Sequence, residues 1–66
     1  MANAYWIEHV NKDGFALMQT LIARTESGAR QGFAEYSYFT ADDPKGTVEV
    51  RLTRNGTVID SIKRNA

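Results

Sequence analysis

Thr47-Val48-Glu49-Val50-Arg51-Leu52-Thr53-Arg54-Asn55-Gly56-Thr57-Val58-Ile59-Asp60-Ser61-Ile62-Lys63-Arg64 is the stretch that decides the fold. Residues 47–54 alternate apolar with polar side chains and are rich in β-branched residues, the pattern of a half-buried strand. Asn55-Gly56 tolerates the positive φ angles of a tight type I′ turn, so a hairpin returning along 57–64 is expected. Val48, Val50 and Leu52 share one face and are predicted core; Glu49, Arg51 and Thr53 face the other way. On the return strand Val58 and Ile62 share a face that excludes Ile59. A strict two-residue turn sets Leu52 opposite Ile59, whereas a bulged turn sets Leu52 opposite Val58. Both registers stay open.

A hairpin alone is marginal in water and needs a covering layer. Asp42-Asp43-Pro44-Lys45-Gly46 is a loop by its turn residues. Before it, Ser27 to Thr40 places Ala29, Phe33, Tyr36 and Thr40 at spacings of 4, 3 and 4, a helical stripe with Thr25 or Ser27 as cap. Gly28 and Gly32 oppose that helix by about 1 kcal/mol each if both are interior. The rival is a strand with Ala34, Tyr36 and Tyr38 on one side; the need for a cover favours the helix. Ala4 to Val10 is a strand rich in aromatic and β-branched residues, and Asn11-Lys12-Asp13-Gly14 is a turn. Phe15 to Arg24 fits either period, with the preceding turn favouring a first hairpin. The expected architecture is α+β: β-β-α-β-β, an antiparallel four-stranded sheet with one helix packed on one face, in one domain spanning 1–66.

Size restricts function. A chain of 66 residues buries only about 60% of its unfolded surface, and without cysteine it has no disulfide or thiolate metal site to reinforce a thin core. Large enzyme folds are excluded, and a deep cleft would cost stability the core can hardly supply. With 42% hydrophobic and 24% charged residues the composition is that of an ordinary soluble domain. The amino-terminal residues include neither a positively charged leader nor a long apolar run, so a cytoplasmic location and no membrane partner are expected. Asn55-Gly56-Thr57 is read as turn chemistry, not as a glycosylation acceptor. The net charge of zero hides a polarity: residues 1–44 carry −3 and residues 45–66 carry +3.

Side-chain chemistry offers little for catalysis. His9 has no set of companions at metal-ligand spacing, and its neighbour Glu8 points to the opposite face of a strand, so a surface or half-buried histidine is expected. Asp42 and Asp43 are expected to form the turn. No nucleophile elbow or phosphate loop occurs; no enzyme activity, cofactor or metal is expected. Gln31-Gly32-Phe33-Ala34-Glu35-Tyr36-Ser37-Tyr38 partly matches the aromatic strand of RNA-recognition sheets, although Glu35 stands where a stacking ring belongs. A nucleic-acid surface of Arg30, Tyr36 and Tyr38 is therefore the alternative function. The surplus of rings (Tyr5, Trp6, Phe15, Phe33, Tyr36, Tyr38 and Phe39) exceeds what one helix can cover. An uncovered Tyr5, Trp6 or Tyr38 beside basic residues would supply an interface anchor.

Two resemblances follow from these residues. Tyr5-x-Ile7-x-x-Val10-Asn11, a helix, and Gly46-Thr47-Val48-x-x-x-Leu52 resemble small phage-encoded anti-CRISPR proteins of the type I-F class. That resemblance implies a compact β-rich inhibitor, without enzymatic activity, that binds the CRISPR surveillance complex. His9-Val10, Asp13-Gly14, Val48-Glu49-Val50 and Asn55-Gly56 are similar to small uncharacterised bacterial β-β-α-β-β domains. The expected function is thus a non-catalytic protein-interaction module, an inhibitor that occupies the surface of a partner protein or complex. Trp6, Arg51, Arg54 and Lys63 are its candidate contact residues. A homodimer, across the sheet or by edge-strand pairing, is the structural alternative.

Overall fold

A computed structural model of the chain describes residues 3–37 and 43–64. Strand β1 (Tyr5–Asn11), strand β2 (Ala16–Leu21), helix α1 (Glu26–Ser37), strand β3 (Thr47–Arg54) and strand β4 (Thr57–Lys63) follow in chain order. The four strands form one antiparallel sheet in the order β2-β1-β3-β4, and α1 lies on one face. The β-β-α-β-β α+β architecture is therefore the fold, and residues 16–21 are strand. Tyr38, Phe39, Thr40 and Asp42, which enter the sequence expectations, lie outside the described residues.

The helix starts where a hydroxyl can satisfy its first free amides. Thr25 is the cap: its Oγ1 accepts the Gly28 N–H at 3.1 Å and its carbonyl accepts the Ala29 N–H at 2.9 Å. The stripe Ala29, Phe33 and Tyr36 then faces the sheet. Ala29 and Phe33 close over Tyr5 and Ile7 of β1 and Val50 and Leu52 of β3, with Leu21, Ala23, Tyr36, Ile59 and Ile62 packed around them. A methyl built on Gly32 would meet Leu21 Cδ1 at 3.4 Å, an ordinary contact. Gly32→Ala is accordingly expected to raise stability by about 0.5–1 kcal/mol through helix propensity, read as a higher urea midpoint.

The terminal hairpin resolves its register by a route neither simple alternative contained. Asn55 (φ 52°) and Gly56 (φ 93°) form the two-residue turn, so Arg54 faces Thr57 and Thr53 faces Val58. A bulge in β4 then skips Ile59, setting Leu52 opposite Asp60 and Val50 opposite Ile62. The extra residue lets Ile59 and Ile62 both reach the core, while the two-residue turn has already set Val58 opposite Thr53 on the far face, where it is exposed. Val58 and Ile62 therefore do not share a face. Val48 also departs from expectation: β1 and β3 shift register between Val10/Asn11 and Glu49/Thr47, and Val48 is only partly buried. Asn55 additionally ties the amino end to the turn, accepting the Ala4 N–H at 2.8 Å on Oδ1 and donating to Asn3 Oδ1 at 2.9 Å.

Candidate functional site

Cross-strand partners in an antiparallel sheet share a face, so the pairing assigns every strand residue a side. Tyr5, Ile7 and His9, with Val50, Leu52 and Arg54, lie on the helix side. On the other side three rows cross the sheet: Thr20-Trp6-Thr53-Val58, Met18-Glu8-Arg51-Ser61 and Ala16-Val10-Glu49-Lys63. Among the described residues no element lies over these rows. Trp6 stands on one of the two inner strands, in the end row, half-buried, its indole Nε1 donating to Glu8 Oε2 at 3.0 Å. Beside it Thr53 is fully buried and donates its hydroxyl to the Trp6 carbonyl at 3.1 Å. The bond to Glu8 orients the indole ring.

Charges on this face alternate. Arg51 donates to Glu49 at 3.1 Å, stands opposite Glu8, and Glu49 stands opposite Lys63. The Arg51 hydrogen bond foremost, helped by the charges of Arg51 and Lys63 and opposed by desolvation, holds the Glu49 carboxyl below its ordinary pKa. The same hydrogen bond raises Arg51. Trp6, Arg51 and Lys63 are thus brought to one surface. Arg54 is on the opposite face, where its guanidinium is bonded to Glu26 of α1. The +3 of the terminal segment does not form a basic patch, because Arg51, Arg54 and Arg64 are each paired with a carboxylate.

The alternative set is not assembled into a stacking platform. Gln31 to Ser37 is helix rather than strand. Arg30 pairs with Glu26 at 3.2 Å and lies 3.9 Å from Asp60; the Tyr36 hydroxyl is engaged beneath the helix, and Tyr38 lies outside the described residues. Tyr5 is core, not surface.

Two residues read as bland are joined in a buried polar cluster. His9 is buried, not half-exposed, and it has partners. Its Nδ1 lies 3.3 Å from Asp43 Oδ1 and its Nε2 lies 3.3 Å from Gln19 Oε1. Asp43 is more than a turn former: it accepts Tyr36 Oη at 3.1 Å and Arg64 Nε at 2.6 Å. The Tyr36 and His9 rings meet edge to face at 5.5 Å. Alternation along β1 puts His9 on the side of Tyr5 and Ile7, a signal that the expectation of a surface or half-buried histidine did not use; nothing local announced that Asp43 would fold back over it. Buried under α1, the imidazole presents no open side to a substrate, and the arrangement ties β1, α1 and the end of β4 together.

Among the described residues no group of three or more His, Cys, Asp or Glu is placed to hold a metal ion, and no helix is long and apolar enough to cross a membrane. No family model, curated protein or solved structure matches the chain.

Proposed function

We propose that this protein is a non-catalytic protein-interaction module that docks on a partner protein with the uncovered face of its sheet and inhibits it by occupying that surface. Trp6 is the anchor; Arg51 and Lys63 with Glu8 and Glu49 form a polar surround of mixed sign. The observation that carries the reading is a tryptophan held by its own hydrogen bond on an inner strand of the sheet face that the helix leaves bare. Such an aromatic, ringed by paired charges, is the composition of an interface hot spot. Alternating charges supply register and selectivity rather than bulk attraction. Arg54 belongs to the helix contact and is not part of this surface.

The partner class proposed is the type I-F CRISPR surveillance complex, on the resemblance of Tyr5, Ile7, Val10 and Leu52 to phage inhibitors. Those residues are buried, so the likeness concerns the fold and the contact surface must be tested directly. Trp6→Ala is expected to weaken capture of the purified complex by about 2 kcal/mol, roughly 30-fold. Arg51→Ala should weaken it less, and Arg54→Ala should leave capture by the folded fraction unchanged. Binding by biolayer interferometry, with folding checked by circular dichroism, measures all three. A folded Trp6→Ala protein that binds as tightly as the parent would remove the assignment.

A further inference from the structure

Strand β2 is an edge of the sheet, and its outer side is undefended. Between Asp13 and Arg24 the chain contains no charged residue and no proline, the usual devices that keep an edge from pairing. Phe15 is 75%, Leu17 61%, Met18 64% and Ile22 96% exposed. The other edge, β4, has a bulge at Ile59 and the charged residues Asp60 and Lys63. One edge is blunted and the other is not.

The backbone phase of β2 is fixed by its turn. Asn11 N–H donates to the Phe15 carbonyl at 2.9 Å. Hydrogen-bonded and non-bonded pairs alternate along an antiparallel ladder, so Leu17, Gln19 and Leu21 direct their amides and carbonyls to β1. Ala16, Met18 and Thr20 direct theirs outward. We propose that β2 pairs with the β2 strand of a second copy, antiparallel about a two-fold axis at Met18. In that register Met18 faces its own copy and Ala16 faces the second copy's Thr20, so every outward-directed group within the strand finds a partner. Pairing about Gln19 instead would leave Ala16 opposite Ile22, beyond the strand.

A two-fold perpendicular to the sheet keeps both helices on one side and makes the two uncovered faces one continuous surface. Being uncharged, the strand meets itself without repulsion. Leu17 and Met18 stand on opposite faces of the strand, so each would add apolar contact to the paired edge on its own side. An isologous strand pair of this kind closes at two subunits, because each partner's remaining edge is the blunted one.

Sedimentation equilibrium on the full chain from about 10 to 500 μM tests the dimer. A weight-average mass rising from 7.4 kDa toward twice that value is expected, with Met18→Lys shifting the midpoint at least tenfold toward monomer by setting two like charges on the axis. The chain has no cysteine, so Met18→Cys should form a disulfide-linked dimer on mild oxidation, while Lys45→Cys should not; paired strands hold Cα atoms within disulfide reach. A parent chain that remains monomeric throughout overturns the proposal, as does a dimer indifferent to Met18→Lys that Met18→Cys cannot trap. The inference stands apart from partner docking: Trp6→Ala should leave the mass unchanged, so either reading can fail alone.

Discussion

Phe33→Ala is expected to remove about 3–5 kcal/mol of stability, the range for deleting a buried phenylalanine with incomplete collapse of the cavity. Phe33 is 1% exposed and sits among Tyr5, Ile7, Val50 and Leu52. It is the one large apolar side chain that α1 buries completely; Ala29 is small and Tyr36 is only partly buried. A chain this short has a total stability of about 3–10 kcal/mol, so the variant should be largely unfolded at 25 °C or nearly so. Urea unfolding followed by far-ultraviolet circular dichroism measures it. Phe33→Leu retains most of the volume and should cost under about 1.5 kcal/mol. A Phe33→Ala protein with an unshifted midpoint would mean that the helix is not what covers the sheet.

That dependence explains which parts of the molecule were legible in the sequence. The terminal hairpin was, because Asn55 and Gly56 adopt the left-handed φ values their types favour, and Val50, Arg51 and Leu52 of β3 alternate as expected. The helix was legible through Ala29, Phe33 and Tyr36 despite two glycines, since the need to cover Ile7 and Leu52 outweighs propensity. Strand β2 was ambiguous for a physical reason: helix and strand are distinguished by which face is apolar, and β2 has exposed apolar residues on both of its faces. Only Leu21 of β2 joins the core. Its ambiguity and its unprotected edge are the same property.

The two hidden features depend on distance along the chain. Parity exposed a conflict between Ile59 and Ile62 but not its remedy, because a bulge is chosen by the fit of both residues under α1. The make-up of the uncovered face was partly legible: Trp6 and Arg51 share it by alternation once β1 is known to pair with β3, whereas Lys63 reaches it through the register set by the β4 bulge. The terminal charges do not form one basic patch, because Arg51 pairs with Glu49 on its own strand while Arg54 and Arg64 pair with the distant acids Glu26 and Asp43.

Asp43→Ala is the second large effect expected, about 3 kcal/mol, the lower part of the range for breaking a buried ion pair by removing one partner. The carboxylate serves Arg64, Tyr36 and His9 at once, and it holds together β1, α1 and the carboxyl end of β4. Removing it leaves a guanidinium and an imidazole in a site whose polar groups were organised around that acid. Asp43→Asn keeps the shape and one acceptor but not the charge, and should fall between parent and alanine. The control is Arg30→Ala: its partners Glu26 and Asp60 are substantially exposed, and such pairs are worth about 0–1 kcal/mol. Hydrogen exchange localises the effect, because Arg64 N–H donates to the Val48 carbonyl at 2.8 Å and should lose protection first. If Asp43→Ala costs no more than Arg30→Ala, the cluster does not hold the layers together. If it costs what burial predicts while Trp6 still captures the partner, the two sheet faces divide the work: one holds the helix by charge and packing, and the other stays open for recognition.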